Sequence, residues 1–323
     1  MTPNDNPNEG TGDDTSATPA PAPAAAGAYR SGYVALAGRP NVGKSTLVNA
    51  LVEQKVSIVT AKPQTTRHRI LGIVTRPDAQ IVLIDTPGLH SNARRALNQQ
   101  MNRTAVNAVA EADLTLFIVA AGQWLNEDQA ALDRVQRMER PILAVVNKID
   151  RISPTERLLP FIDELRRRAN FVDIVPVSAL RRANLDRLLE CIKAHLPRAA
   201  AIYPPEQITD RSQRFLIAEV IREKLTLALS AELPYGLSVE IEAFEETADG
   251  CVNIAAVIWV EREGQKAIVI GEKGERLKHV GRAARLEVKA MLGKPVYLEL
   301  WVKVKENWAD DERALRSLGY EST

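Results

Sequence analysis

Hydrophobic and polar positions divide the chain into three regimes. Residues 1–28 are rich in Pro, Ala, Asn, Thr and Asp and carry almost no large apolar side chain. Such a stretch cannot bury enough surface to offset the entropy of ordering it, which predicts a disordered tail. From Gly32 onward short apolar runs recur at Tyr33–Ala37, Ile70–Thr75, Ile81–Ile84, Leu114–Ala120, Ile142–Val146 and Phe171–Val177. Helical periodicity fills the gaps near residues 44–52, 94–111, 126–139, 154–169 and 184–195. Continuous Val/Ile/Leu strands separated by helices predict an α/β domain over residues 29–196, with a mainly parallel sheet and helices on both faces. Ligands of such sheets sit at the carboxyl ends of the strands.

Residues 197–210 contain three prolines and no periodicity, which reads as a linker. The rhythm then changes. Ser212–Ala231 has the spacing of an amphipathic helix, with Phe215, Ile217, Val220, Ile221 and Leu225 on its apolar side. Leu237–Phe244 alternates as a strand, and Cys251–Val260 and Val296–Val304 read as two more. A basic helix ending at Leu292 lies between the last two. These elements predict a smaller α+β domain over residues 211–308, followed by a tail at 309–323.

Composition narrows the function classes. A length of 323 residues suits two domains, and 45% hydrophobic with 26% charged residues is ordinary for a globular protein. The formal net charge of +1 means that a nucleic-acid or membrane partner must be met by a local patch. Cys191 and Cys251 lie far apart, which predicts a reducing compartment, no disulfide framework and no zinc site. No apolar run approaches the ~20 residues that span a bilayer. The N-terminus lacks a secretory pattern, so a cytoplasmic protein is expected, with peripheral membrane contact left open.

Candidate chemistry begins at Gly38-Arg39-Pro40-Asn41-Val42-Gly43-Lys44-Ser45, a G-x-x-x-x-G-K-S phosphate loop between a strand and the helix opening at Thr46. Gly38 and Gly43 permit close backbone approach to a polyphosphate. Lys44 reaches the β/γ oxygens and Ser45 ligates Mg²⁺ in this reading. Asp85-Thr86-Pro87-Gly88 ends a buried strand: Asp85 holds Mg²⁺ through a water, and the Gly88 N–H meets a γ-phosphate. Asn147-Lys148-Ile149-Asp150 ends the next internal strand. The Asp150 carboxylate can accept both N1–H and the exocyclic amino hydrogens of guanine, a donor pair adenine lacks. Asn147 ties this loop to the phosphate loop, and the Lys148 stem covers the base. Backbone N–H groups of Ser178-Ala179-Leu180 face the guanine O6. The polar segment Ser57–Arg69, with Gln64-Thr65-Thr66-Arg67, fits a switch loop ordered by γ-phosphate and metal. Thr66 is the preferred metal ligand, with Thr65 the alternative. The constellation predicts Mg²⁺-dependent GTP hydrolysis in which Lys44, Thr66 and Gly88 act on the phosphates.

The segments GRPNVGKS, QTTRH, DTPG, NKID and SAL resemble the five guanine-nucleotide motifs of the translation-factor-related GTPases, and most resemble the Era family, over residues 32–196. Leu89 stands where Ras-type enzymes carry the glutamine that orients attacking water. The resemblance implies an apolar residue there and slow hydrolysis that depends on a cation or partner. Asn41 stands where some relatives bind K⁺.

The order helix, strand, strand, short apolar segment, G-x-x-G, helix and strand resembles a bacterial-type KH domain. That resemblance makes Ala267–Ile270 a short helix, although propensity favours a strand. The loop Gly271-Glu272-Lys273-Gly274 lets a nucleic-acid backbone approach closely, and Arg276, Lys278 and Arg282 add positive charge after it. Glu272 lowers the attraction for phosphate, and His279 reads as an ordinary surface or packing residue. The family resemblance implies a monomeric GTPase that binds small-subunit ribosomal RNA near its 3′ end and serves small-subunit assembly. The competing expectation is a C-terminal domain that docks to a protein or a membrane.

Overall fold

The computed structural model describes residues 29–62, 65–88, 96–229, 236–311, 313 and 315. Pro63, Gln64, Leu89 and the tail at 1–28, all subjects of sequence expectations, lie outside the described residues.

The first domain is built on a six-stranded sheet in the order β2-β3-β1-β4-β5-β6. Its strands are β1 (Arg30–Ala37), β2 (Ile70–Arg76), β3 (Ala79–Asp85), β4 (Leu114–Ala120), β5 (Ile142–Asn147) and β6 (Asp173–Pro176). The mainly parallel expectation holds, with one exception at the edge. β2 and β3 are joined only by Pro77 and Asp78, and so tight a connection permits only antiparallel pairing. The other strands pair in parallel. Helices α1 (Lys44–Val52), α2 (Ala96–Glu111), α3 (Asn126–Gln136), α4 (Leu158–Arg166) and α5 (Leu185–His195) lie between strands or follow β6. The central strands are buried on both faces. Leu36, Leu116 and Ile118 pack with Leu47 of α1 and Leu188 of α5, while Ala35, Phe117 and Val119 pack with Leu132 of α3 and Leu165 of α4. Burial of each large side chain contributes about 1.5–3 kcal/mol.

Three sequence boundaries shorten. The run Phe171–Val177 forms a strand only over Asp173–Pro176, at the sheet edge, and the helical pattern at 154–169 opens with a 3-10 turn at Thr155–Arg157. The helix expected over 126–139 stops at Gln136, before the left-handed Glu139 and the Arg140-Pro141 pair that excludes helix.

The linker forms no helix or strand, yet it is strapped to the first domain. Backbone N–H groups of Leu71 and Ile73 on β2 donate to Asp210 Oδ1 (3.0 Å) and to Ile208 O (2.8 Å). Gln80 Oε1 accepts from Ile202 and Tyr203 N–H at 2.7 and 2.8 Å. The linker thus satisfies backbone groups that an edge strand would otherwise present to solvent.

The second domain comprises α6 (Gln213–Ala228), β7 (Leu237–Glu246), β8 (Val252–Val260), α7 (Glu263–Ile270), α8 (Glu275–Leu292) and β9 (Val296–Val304). Ser212 caps α6 by accepting from the Phe215 N–H at 3.3 Å. The sheet runs β7-β8-β9, with β7 antiparallel and β9 parallel to β8. Its core joins Ile217, Ile221 and Leu225 of α6 to Ile254, Ala256 and Ile258 of β8 and Val280, Ala284 and Val288 of α8. Ala267–Ile270 is helical within α7 despite its β-branched residues, because burial of Val269 against this core overrides local propensity. Beyond β9, Trp308 is fully buried with Leu97 and Met101 of α2, so the chain returns to the first domain.

Candidate nucleotide site and nucleic-acid interface

The phosphate loop leaves β1 and closes on the N-terminus of α1. Gly38 has φ 146°, and a Cβ there would lie 2.4 Å from the Ile118 carbonyl oxygen, so only glycine fits. Lys44 is buried and donates to the carbonyls of Gly38 (3.0 Å) and Arg39 (3.1 Å). Burial lowers its pKa to about 8, with Arg39 adding to the shift and the carboxylates of Asp85 and Asp128 opposing it. An anion in the cradle would relieve that desolvation. Arg39 itself pairs with the fully buried Asp128 of α3 at 2.9 Å. Pro40, Thr46 and Gly88 line the cavity over the loop, and Gly88 approaches Pro40 so closely that a Cβ would fall 3.1 Å from its ring.

The expected metal ligands converge. Ser45 Oγ and Thr66 Oγ1 are 2.8 Å apart. Thr65 is turned away, its hydroxyl donating to Lys62 O at 2.7 Å and facing Thr60 Oγ1 at 2.6 Å. Asp85 is fully buried at the end of β3 and accepts from Ser57 Oγ at 2.7 Å, while its other oxygen finds no donor at hydrogen-bond distance. Burial pushes this carboxyl up. Ser45, Ser57 and Thr66 hydroxyls and the Lys44 ammonium pull it back. Two hydroxyls and a carboxylate with an unsatisfied oxygen form the hard oxygen set that Mg²⁺ accepts. Thr86, next in the chain, donates to Leu36 O at 2.9 Å, and Pro87 leads into Gly88.

At the far end of the loop a cleft of about 420 Å³ is lined by Asn41, Gly43, Thr60, Asn147, Lys148, Asp150 and Leu180, among others. Asn147 is buried at the end of β5. Its amide donates to Val42 O at 2.9 Å, and its oxygen accepts from the N–H groups of Lys148 (2.8 Å) and Ala179 (3.0 Å). Lys148, in a left-handed conformation, lays its ammonium on Asn41 O. Burial, with Arg151 and Arg39 nearby, lowers its pKa. Asp150 accepts from Ser178 Oγ. Two of the backbone donors expected at the guanine O6 are engaged within the protein: Ser178 N–H meets Ala183 O, and Ala179 N–H meets Asn147. Asn41 donates its amide to Ala61 O at 2.9 Å, joining the phosphate loop to the 57–69 segment.

In the second domain, Gly271 (φ 76°), Lys273 (φ 48°) and Gly274 (φ 80°) bend the chain from α7 into α8. A Cβ at Gly271 would fall 2.7 Å from the Arg276 Cβ, whereas one at Gly274 would meet open space. Glu272, Lys273, Lys278 and Arg282 are exposed, and Lys278, Arg282, Arg285 and Lys289 recur on one exposed stripe of α8. Arg276 differs from expectation, since its guanidinium donates back to Ile268 O. Lys278 lies 3.5 Å from Glu275. His279 is exposed.

Sequence reasoning missed Ser57 beneath Asp85 and the whole contact between the 55–67 segment and α6. Glu219, Arg222, Glu223 and Thr226 are all buried there. Their i, i+3 and i+4 spacing reads as an ordinary solvated helix face, so the sequence alone carried no distinguishing signal.

Residues 33–148 match the family described as 50S ribosome-binding GTPase, and residues 232–309 match the KH domain family. The GTPase Era of Marinobacter nauticus is 48% identical over 290 residues, which are 90% of this chain and 95% of that protein. The GTPase Era of Ectopseudomonas mendocina is 51% identical over 292 residues, covering 90% of this chain and 97% of the relative. Among solved structures, Era in complex with MgGDPNP and nucleotides 1506–1542 of 16S ribosomal RNA superposes with a TM-score of 0.87 at 40% identity, covering 91% of this chain and 100% of that one. A point variant of Aquifex aeolicus Era bound to GDP and AlF4⁻ gives the same TM-score, identity and coverage. The likeness runs through both domains and the linker between them, and the chain belongs to the Era family of GTPases.

Proposed function

We propose that this GTPase binds the 3′-terminal region of small-subunit ribosomal RNA through its KH domain and acts as a nucleotide-controlled switch in assembly of the small subunit. What carries the reading is the match of both domains, in one arrangement, to an Era structure that holds MgGDPNP and a 16S RNA segment together. Residence in the cytoplasm as a monomer, with peripheral contact at the inner membrane face, belongs to the same proposal. No helix among the described residues is long and apolar enough to cross a membrane.

The nucleotide roles proposed for the chain follow from chemistry and position. Lys44 exchanges its two carbonyl partners for β/γ oxygens, regaining full charge against the polyanion. Ser45, Thr66 and Asp85 hold Mg²⁺, which when bound neutralises charge on the phosphates. The Gly88 N–H steadies the γ-phosphate. Residues 38–46 cradle the phosphates, and 85–88 close over them. Asp150 selects guanine, with Asn147 and Lys148 shaping the slot beside Ser178, Ala179 and Leu180. Leu89 cannot hydrogen-bond to water, so hydrolysis unaided is slow, and Asn41 is the candidate ligand of an activating K⁺. In the KH domain, Gly271–Gly274 admits the RNA backbone, with Lys273, Arg276, Lys278 and Arg282 supplying charge and Glu272 tempering it.

The test is binding of the full chain to an oligonucleotide of the 16S 3′ end, with GDP or a non-hydrolysable GTP analogue present. Salt-sensitive binding that differs between nucleotides is expected. No RNA affinity, with salt-insensitive binding to a protein or to vesicles, would overturn the RNA reading in favour of a docking domain.

A further inference from the structure

The loop that carries Thr66 is held from behind by the other domain. Arg222 on α6 is buried, pairs with Glu219 through two hydrogen bonds of 2.7 Å, and donates to the Thr65 carbonyl. Glu223, next in sequence, accepts from the Val59 N–H at 2.9 Å and from Lys55 Nζ at 2.6 Å. Lys62 reaches carbonyls at the C-terminal end of the same helix, Thr226 and Leu229. Arg67 donates to Leu237 O at 2.6 Å, at the start of β7. Lys55, Val59, Lys62, Thr65 and Arg67 are therefore each held by α6, by Leu229 at its end or by the start of β7. On the opposite side of the same loop, Thr66 touches Ser45.

We infer that α6 is a platform for the metal-binding loop, with Arg222 the positioning residue that sets Thr66 for Mg²⁺. The inference rests on the proposed reading of Ser45, Thr66 and Asp85 as the metal ligands. The Thr65 carbonyl and Thr66 belong to one planar peptide unit, so a guanidinium fixed on that carbonyl fixes the start of Thr66. A buried Arg–Glu pair stabilises a fold poorly, since desolvation offsets most of its attraction. Here the Arg222 Nη2 that pairs with Glu219 also donates to the Thr65 carbonyl, which gives the pair a task that an apolar pair could not perform. Held this way, the loop needs little further ordering when metal arrives, and the KH domain becomes part of the catalytic apparatus in cis. Movement of α6 would also be felt directly at Thr66.

The test measures single-turnover GTP hydrolysis by the full chain as a function of Mg²⁺ concentration. The paired variant Glu219→Leu with Arg222→Met removes the guanidinium together with the carboxylate that pairs with it. The Mg²⁺ concentration for half-maximal rate should rise about tenfold, the cost of one charged hydrogen bond. GDP affinity without Mg²⁺ should stay as in the parent chain, and Arg222→Lys should recover part of the loss. Combining the pair with Thr66→Ala should add nothing to Thr66→Ala alone. Unchanged Mg²⁺ dependence in the paired variant, or full additivity with Thr66→Ala, would overturn the inference. If Thr66→Ala itself leaves Mg²⁺ dependence unchanged, the metal-site reading fails instead. Lys62→Met cuts a separate grip nearer the surface and should shift Mg²⁺ dependence the same way by less. It decides the matter if the paired variant does not fold, and no shift would then count against the platform.

Discussion

The side-chain amide of Asn147 lies so close over Gly43 that a Cβ on Gly43 would fall 2.4 Å from Asn147 Nδ2. The two residues are far apart in sequence, yet they join the loop beneath the phosphates to the loop around the base. Gly43 also has φ 101°, a conformation that side chains oppose. Asn147→Ala would leave Val42 O and the Ala179 N–H without their buried partner. Nucleotide affinity should drop about 100-fold, corresponding to two or so buried hydrogen bonds left unmade. Gly43→Ala should do comparable damage by displacing Asn147. Titration with a fluorescent GDP analogue measures both, and a loss below threefold in each would contradict the linkage.

Base selection is expected to rest on Asp150, which already accepts from Ser178. Asp150→Asn exchanges an acceptor for a donor toward the base. It should weaken GTP binding and favour xanthosine triphosphate, whose ring offers an acceptor where guanine offers the exocyclic amine. Competition between the two nucleotides reads out the preference. GTP affinity equal to that of the parent chain would remove Asp150 from the base pocket.

Much of this architecture was legible in the sequence because the motifs carry their own geometry. Gly38 and Asp85 sit where parallel strands end, with Gly43 at the start of the helix that follows, and the apolar runs placed those ends correctly. The antiparallel β2 was less visible, because the Pro77-Asp78 turn that dictates it is so short. The helix over Ala267–Ile270 contradicts the β-branched residues within it and was legible only through the family's pattern. Arg222 and Trp308 were not legible at all. A charged residue on a helix face and a tryptophan after the last strand acquire meaning only when the other domain closes over them.

Asn41 occupies the junction between the phosphate loop and the 57–69 segment, donating to Ala61 O. If it is a K⁺ ligand, its amide oxygen faces the cation, and replacing Na⁺ by K⁺ should raise the hydrolysis rate. In Asn41→Ala the two salts should give equal rates. Steady-state phosphate release at constant ionic strength measures this, and equal rates in the parent chain would assign Asn41 to loop structure alone.

The two cysteines should differ in reactivity. Burial, together with the Asp173 carboxylate 3.2 Å away, pushes the Cys191 thiol up to about 11. A raised thiol pKa leaves only about 0.1% thiolate at pH 8. Cys191 should therefore label slowly at pH 8 with an aromatic disulfide and gain rate as pH rises toward 11. The half-buried Cys251 should label first. Comparable rates at pH 8 would show that α5 opens readily from β6.

The glycine loop of the KH domain offers a substitution whose structural and functional effects separate. Gly271 cannot take a side chain without striking Arg276, so its replacement would disturb the fold itself. Gly274 is different: a Cβ there meets nothing within 4 Å, although its φ of 80° still disfavours one. Aspartate tolerates that region better than most residues, so Gly274→Asp should lower stability by only about 1 kcal/mol. The new carboxylate would stand where an RNA backbone is expected, beside Glu272, and would repel phosphate. Binding to the 16S 3′ segment should fall about tenfold or more at low salt, with the difference narrowing as salt screens the repulsion. Thermal melting checks the fold and fluorescence anisotropy checks the RNA. A well-folded Gly274→Asp chain that keeps its full RNA affinity would exclude this loop from the RNA interface.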